Sequence, residues 1–323
     1  KYLSIEEKSM SNENVAILMS TYNGEKYLEE QVKSIISQDY TDWHLYIRDD
    51  GSTDNTVNLI KKIARDNEKI TFLNENKPKN LGVTGSFMDL LANTKAQYYM
   101  FSDQDDYWME DKISATLRKM QASEIGSMPI CVHSNLTVVD TNLHGDSLMN
   151  SSEEHWSDFK SMLFANCVTG CTMMINQELK NLLDFDKVKS NKLYVHDWWI
   201  ALVAAAFGKV VYLDRSTILY RQHQGNVIGS NKKTTLFNKT EPFNGRVIRM
   251  VKITSDFWQA YGSKLTGQNR NYVESYASLV QHRNPLWNLR IVLKYPPARA
   301  TTTGNLVFGG IVVRDYQKLS RLG

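Results

Sequence analysis

Two short runs of aspartate carry the first chemical signal in this sequence. Asp49-Asp50-Gly51-Ser52-Thr53-Asp54 follows the run His44-Leu45-Tyr46-Ile47-Arg48, and Asp103-Gln104-Asp105-Asp106 follows Tyr98-Tyr99-Met100-Phe101. Both preceding runs read as strands, so each acidic cluster falls at a strand's carboxyl end. That is the edge where open α/β sheets bind their ligands. Carboxylates packed this closely repel, raise each other's pKa and persist best with a cation between them. Hard oxygen ligands, with water and phosphate completing the shell, suit Mg²⁺ or Mn²⁺. Asp-Asp-Gly-Ser is also a good turn followed by a helix cap, which would account for one cluster alone. Two clusters, at the ends of the second and fourth strands, favour a binding edge.

The elements that must position these residues alternate along the first hundred residues. Val15-Ala16-Ile17-Leu18-Met19 is a buried-strand run, and Leu28, Val32, Ile35 and Ile36 fall on one helical face. After the second strand, Ser52, Thr53 and Asp54 offer N-caps for a helix carrying Val57, Ile60 and Ile63. Ile70–Leu73 predicts a third strand, Phe87–Leu91 a third helix, and Tyr98–Phe101 a fourth strand. This order argues for a mostly parallel sheet wrapped by helices. Further strands are expected at 130–133, 136–139, 210–213 and 217–221, and a helix over His196–Phe207. Helical stretches near 246–261, 272–282 and 286–293 follow, with a boundary placed near residue 235.

Composition narrows the class. The 323 residues are 42% hydrophobic and 23% charged, as in globular chains, which excludes a disordered or collagen-like protein. Three cysteines are too few for a disulfide scaffold, and Cys167-Val168-Thr169-Gly170-Cys171 lacks the spacing of a zinc site. The longest apolar run, Trp198–Phe207, is too short to span a bilayer, and Lys1–Asn14 has no signal-peptide core. A reduced, cytoplasmic setting is expected. The net charge of +3 hides an asymmetry: residues 241–323 hold twelve basic and four acidic side chains, and residues 1–240 are net acidic.

Taken together, Ser20-Thr21-Tyr22-Asn23-Gly24, Asp49–Asp54 and Asp103-Gln104-Asp105-Asp106 resemble the inverting family 2 glycosyltransferases of the GT-A fold. The resemblance covers roughly residues 14 to 225. The strings Ser102-Asp103-Gln104-Asp105-Asp106-Tyr107-Trp108 and Tyr220-Arg221-Gln222-His223 further resemble bacterial rhamnosyltransferases that build surface polysaccharide on a lipid carrier. It implies an α/β GT-A nucleotide-binding domain over 14–235, a mostly parallel mixed sheet flanked by helices. A basic, mainly helical C-terminal region then covers 236–323.

The resemblance also implies roles. Asp103 and Asp105 fall on the family's Asp-x-Asp motif, with Asp105 the direct ligand of a Mn²⁺ or Mg²⁺ bridging the donor diphosphate. Gln104 and Asp106 lie beside the donor. Asp50 matches the carboxylate that accepts from the pyrimidine ring N–H, and Tyr22 an aromatic that packs on that base. Ser20 and Asn23 are nearby polar contacts, and Asn80-Leu81-Gly82 falls where relatives make further nucleotide contacts. His223 matches a metal or diphosphate ligand, although a lone histidine is often structural. Arg221 is a bidentate diphosphate donor.

An inverting transfer needs a base opposite the leaving diphosphate. Asp197, opening the helix after the central loops, fits that position in the resemblance, though a carboxylate there is also a plain helix-end charge. Trp198 and Trp199 beside it are expected to stack on acceptor sugars. His196 departs from the family, where many relatives carry Glu.

The expected activity is metal-dependent transfer of L-rhamnose from dTDP-β-L-rhamnose to a lipid-linked saccharide, giving an α-L-rhamnoside. The alternatives are a UDP-hexose or UDP-GlcNAc donor, a non-catalytic nucleotide-sugar-binding subunit, and a metal-dependent phosphotransferase. Leu286, Trp287, Leu289, Ile291, Val292 and Leu293, alternating with Arg283, Arg290 and Lys294, suit docking on the inner leaflet of the cell membrane. A homodimer face is the other reading of that segment. No nucleic-acid-binding motif accompanies the basic charge.

Overall fold

β1 (Val15–Thr21) is buried on both sides, sending Val15, Ile17 and Met19 into one core cluster and Ala16 and Leu18 into the other. This two-sided burial explains why the strand reads as an unbroken apolar run. The computed structural model describes residues 15–76, 79–151, 154–185, 195–223, 243–297 and 302–322. Among these, nine strands form one sheet in the order β3-β2-β1-β4-β8-β6-β9-β5, with the short β7 (Ser147–Leu148) on β6. β2 (Trp43–Asp49), β3 (Ile70–Phe72) and β4 (Tyr98–Ser102) run parallel with β1. β8 (Met173–Asn176) is antiparallel to both β4 and β6 (Ile130–Val139), so the sheet is mixed.

The path turns at β1: β2 and β3 extend the sheet to one side, and β4 lies on the other. Such a reversal opens a crevice at the carboxyl ends of β1 and β4. Residues 22–24 and 103–106, which follow those two strands, stand at its mouth.

Each half of the core has its own helices. α1 (Leu28–Ile36), α2 (Thr56–Asp66) and α4 (Lys112–Ser123) cover one face through Leu28, Val32, Ile60, Ile113 and Met120. The other face takes α3 (Gly82–Asn93), α5 (Phe159–Phe164), α6 (Gln177–Leu182) and α7 (His196–Phe207). β6 and β9 (Lys209–Arg221) are each one strand where the sequence predicts two. The polar residues between the expected pieces sit at register shifts around Ser134–Thr137, so the strands bend without breaking. β9 also carries the two-residue β5 (Tyr107–Trp108), which ends the sheet.

The C-terminal helices do not form a second core. α8 (Phe243–Tyr261) lays Phe257 against Trp199 of α7 at 5.7 Å and against Phe159 of α5 at 5.4 Å. α9 (Gly267–Ala277), α10 (Pro285–Lys294), α11 (Thr302–Arg314) and α12 (Tyr316–Leu319) add to the same apolar cluster. The boundary expected near residue 235 lies outside the described residues.

Candidate active site

The three strand-end loops are stitched together by hydrogen bonds that the sequence does not announce. Gln104 clamps the Tyr22 backbone at both ends: its Oε1 accepts from Tyr22 N at 2.8 Å and its Nε2 donates to Tyr22 O at 2.9 Å. The clamp needs Gly24, where a Cβ would lie 2.0 Å from Gln104 Oε1. Asn23, at φ +48°, donates its N–H to Ser52 Oγ and accepts from Thr53 N, both at 2.8 Å. Gln104 is thus a strut between loops rather than a donor contact. Tyr22 is left 52% exposed at the mouth of the crevice, a free aromatic face. Ser20, half-buried, pairs in register with Arg48.

The first acidic cluster is saturated by donors. Asp49 accepts from Gly51 N, Ser52 N, Ser52 Oγ and Thr21 Oγ1 at 2.5–3.0 Å. Asp50 accepts from Arg48 Nη1 at 2.8 Å, Leu81 N at 2.6 Å, Gly82 N at 2.9 Å and Ser86 Oγ at 2.8 Å. No cation is needed to hold these two carboxylates. Asp50 instead fixes the turn into α3, where Gly82 has φ +70° and Asn80 Nδ2 donates to Asp50 O at 2.7 Å. Arg48, fully buried, completes this anchor, and the sequence reading passes it over as strand filler.

The second cluster is starved of donors. Asp106 is fully buried; its Oδ1 takes a long bond from Arg221 N at 3.3 Å, the Cys171 thiol beside it is a weak second donor to the carboxyl, and its Oδ2 is left unpartnered. Burial, then the charges of Asp103 and Asp105, hold its carboxyl well above the usual range. Asp103 is pushed up to about 7, first by burial and then by Asp105 and Asp197. His223 Nε2 lies 2.8 Å from Asp105 Oδ2, so the structure brings these two expected ligands together. Asp103, Asp106 and Cys171 present ligand atoms within 4.8 Å of one another. Burial raises the Cys171 thiol well above its usual value, which leaves it a weak ligand for a hard cation. Lys112, buried beneath the cluster and lowered to about 8 by burial, sits 4.8 Å from the Trp108 ring centre.

The fit to a divalent cation therefore rests on the converging Asp103 and Asp106 carboxylates, one oxygen of Asp106 being buried and orphaned, with the Asp105–His223 pair adjacent. That donor set suits Mg²⁺ or Mn²⁺.

Arg221 has another task than the one expected. Its side chain is buried, with Nε donating to Asp105 O at 2.9 Å, Nη1 to Thr141 O at 2.6 Å, and Nη2 paired with Glu30. Its guanidinium lies 4.7 Å from the Tyr27 ring centre. Engaged on every side, it holds the Asp105 backbone and does not face a diphosphate.

Asp197 lies in the first turn of α7, where its carboxylate accepts from Trp198 N at 2.5 Å, Gly170 N at 3.0 Å and Asn166 Nδ2 at 3.2 Å. Burial outweighs these donors and pushes it up to about 7. Its charge reaches Asp103, so the two carboxylates lie within electrostatic range of one another. Asn166 carries no sequence signal of this role, and Gly170 reads only as part of a cysteine-flanked turn.

Both tryptophans overturn their expectation. Trp199 is fully buried against Phe257 and Tyr261, and Trp198 is almost fully buried with Nε1 donating to Met162 O at 2.7 Å. α7 is covered on all sides by the sheet, α5 and α8, so neither ring has a face for a sugar. His196 stacks on Phe87 at 4.3 Å, and burial lowers it to about 3, which keeps it neutral. It is a core residue.

A mixed sheet flanked by helices, with a carboxylate cluster at the switch point, defines a GT-A-like fold. Residues 16–181 match the glycosyl transferase family 2 profile, and the chain belongs to that family. It is 32% identical over 223 residues to a dTDP-rhamnosyl transferase of Shigella flexneri, covering 66% of this chain and 74% of that one. It is 25% identical over 190 residues to an Escherichia coli protein named UDP-Glc:alpha-D-GlcNAc-diphosphoundecaprenol beta-1,3-glucosyltransferase, covering 58% of this chain and 69% of the relative. Among solved structures, S. aureus TarS 1–349 in complex with UDP-GlcNAc shares the fold with a TM-score of 0.54. At 13% identity it covers 95% of this chain and 90% of that one.

Proposed function

We propose that this glycosyltransferase transfers L-rhamnose from dTDP-β-L-rhamnose to a lipid-linked saccharide, with inversion to the α-linked product. One observation carries the chemistry: Asp197, pushed up to about 7 by burial, lies within electrostatic range of Asp103 in the donor-poor Asp103–Asp106 cluster. A base poised near the working pH is what deprotonation of an alcohol in flight requires. The acceptor oxygen bonds to the anomeric carbon as the bond from that carbon to the diphosphate breaks. The hydroxyl proton passes to Asp197, and dTDP departs with the bonding pair.

Tyr22 offers its exposed ring to the base, and Asp50 Oδ2, which takes one hydrogen bond, from Gly82 N, would accept from the pyrimidine N–H. Asp103 and Asp106, whose ligand atoms converge, would hold the divalent cation with the Asp105–His223 pair beside them, and it would supply positive charge beside the leaving diphosphate. Asn166 and the Gly170 N–H keep Asp197 in one orientation.

The rhamnosyl assignment is supported by the similarity to the S. flexneri transferase. A UDP-hexose donor is the second reading, favoured by the similarity to the E. coli glucosyltransferase. Thymine and uracil differ by one methyl, worth about 1–3 kcal/mol of discrimination. Thermal shifts with dTDP, UDP and GDP, with and without Mn²⁺, decide between them. A ligand at a hundred times its Kd adds about 2.7 kcal/mol to a folded state it alone binds. The largest metal-dependent shift is expected with dTDP. Asp197→Asn should lower kcat by about 10²–10⁴ and leave that shift intact. Loss of both together would remove Asp197 from the role of base.

A further inference from the structure

α10 and α11 are apolar on both sides. Toward the interior α10 buries Ile291, and α11 buries Phe308, Ile311 and Val312. Asn288 Nδ2 donates to Val312 O at 2.9 Å, and Gly309 lets Val292 approach so closely that a Cβ there would lie 2.7 Å from Val292 Cγ1. Tyr272 and Tyr276 hydroxyls donate to Pro296 O and Tyr295 O at 2.9 and 2.8 Å, tying the end of α10 to α9. The pair is therefore a fixed part of the core, not a loose appendage.

The outward side carries Leu286 (72% exposed), Leu289 (41%), Leu293 (73%), Leu306 (73%) and Val307 (45%). These two helices hold half of the large apolar side chains that stand exposed among the described residues. Leu286, Leu289 and Leu293 follow i, i+3, i+7 spacing, one stripe of a helix. Scattered exposed leucines are ordinary, whereas a concentrated apolar face marks a surface that is covered by something.

Charge says what covers it. From residue 275 to residue 314 the sequence has no Asp or Glu and carries five basic residues. Of these, Arg283, Arg290 and Lys294 are exposed on or beside α10. Glu274 of α9 lines the same hollow as Arg290 and Lys294, so the face keeps a positive excess of three cations, with Arg283, to one acid. Leucines flanked by that excess match an anionic bilayer: apolar side chains reach the acyl boundary and the basic ones meet headgroups. A second copy of this face would set like charges against each other.

We propose that the outer face of the α10–α11 pair seats the enzyme on an anionic lipid surface. The surface is argued independently of the donor sugar, although it suits the lipid-linked acceptor of the reaction above.

The test is flotation of the full chain with vesicles of phosphatidylcholine containing phosphatidylglycerol, against phosphatidylcholine alone. The wild-type protein is expected to float with the anionic vesicles, less so at high salt. Leu286→Ser/Leu293→Ser/Leu306→Ser should lose binding by at least about tenfold, and Arg290→Glu/Lys294→Glu should lose the preference for anionic lipid. Both variants change exposed positions, and an unchanged nucleotide-dependent thermal shift confirms that they are folded with an intact site. Equal flotation of wild type and leucine variant, or no flotation of wild type, overturns the proposal. So does a dimer by light scattering that the leucine variant converts to monomer, since the face then joins two copies. Failure of the nucleotide shift in wild-type protein would count against the donor site instead, and leaves the flotation result to stand alone.

Discussion

Two acidic clusters follow two strands that both flank β1, and they have opposite fates. Asp49 and Asp50 receive eight hydrogen bonds between them, one from the buried Arg48, and need no cation to hold them. Asp106 stands fully buried and Asp103 half-buried among other acids, with one oxygen of Asp106 unpartnered. Residue type and position at a strand end do not separate them; the supply of donors does. A carboxylate cluster that the protein leaves unsatisfied is one arranged for something that arrives from outside.

The largest expected effect separates the clusters directly. Asp106→Asn removes a carboxylate that the metal-free fold tolerates poorly. It should raise or leave unchanged the melting temperature without metal, while lowering transfer by about 10² or more. Asp50→Ala should do the reverse in the fold, leaving Arg48 buried beside a lost partner at a cost of about 3 kcal/mol, read as a lower urea midpoint. Equal destabilisation by both changes would erase the distinction.

A second effect is a dependence on pH. Asp197 is raised to about 7, so its ionised, proton-accepting form grows as pH rises through that value. In the free enzyme kcat/KM should fall about tenfold for each unit below it, the slope of a single required base. Buffers from pH 5 to 9 would show the limb, and a flat profile over that range would dismiss Asp197.

The smallest effect concerns the strut between loops. Gly24→Ala forces Gln104 off the Tyr22 backbone, and Gln104→Ala removes the same two hydrogen bonds, each for about 1–3 kcal/mol. The double variant should cost little more than either alone, because both act on one contact. Donor KM should rise with the loss of Tyr22 placement.

Much of this frame is legible from local pattern. β1, β2 and β4 are apolar runs halted by the loops that bear the site, and α7 spans His196–Phe207 as its composition predicts. What is not legible depends on partners distant in sequence. Trp198 and Trp199 look like sugar platforms beside Asp197 until α8, some sixty residues on, is packed over Trp199. Arg221 looks like a phosphate ligand until Glu30, Thr141 and the Asp105 carbonyl close around it. Asn166 and Gly170 hold the base, yet neither type nor spacing marks them. Short motifs place residues at an edge; only packing says which way a side chain is turned.

The core common to α7 and the C-terminal helices limits how such enzymes can be recombined. Trp199 sits two residues, about half a helical turn, from the base and is enclosed by Phe257 and Tyr261 of α8. A chimera that exchanges residues 243–322 between relatives would change the packing behind Asp197 along with whatever surface the helices present. Grafting those helices as a detachable module should therefore perturb catalysis unless α7 and the loop bearing Asn166 travel with them.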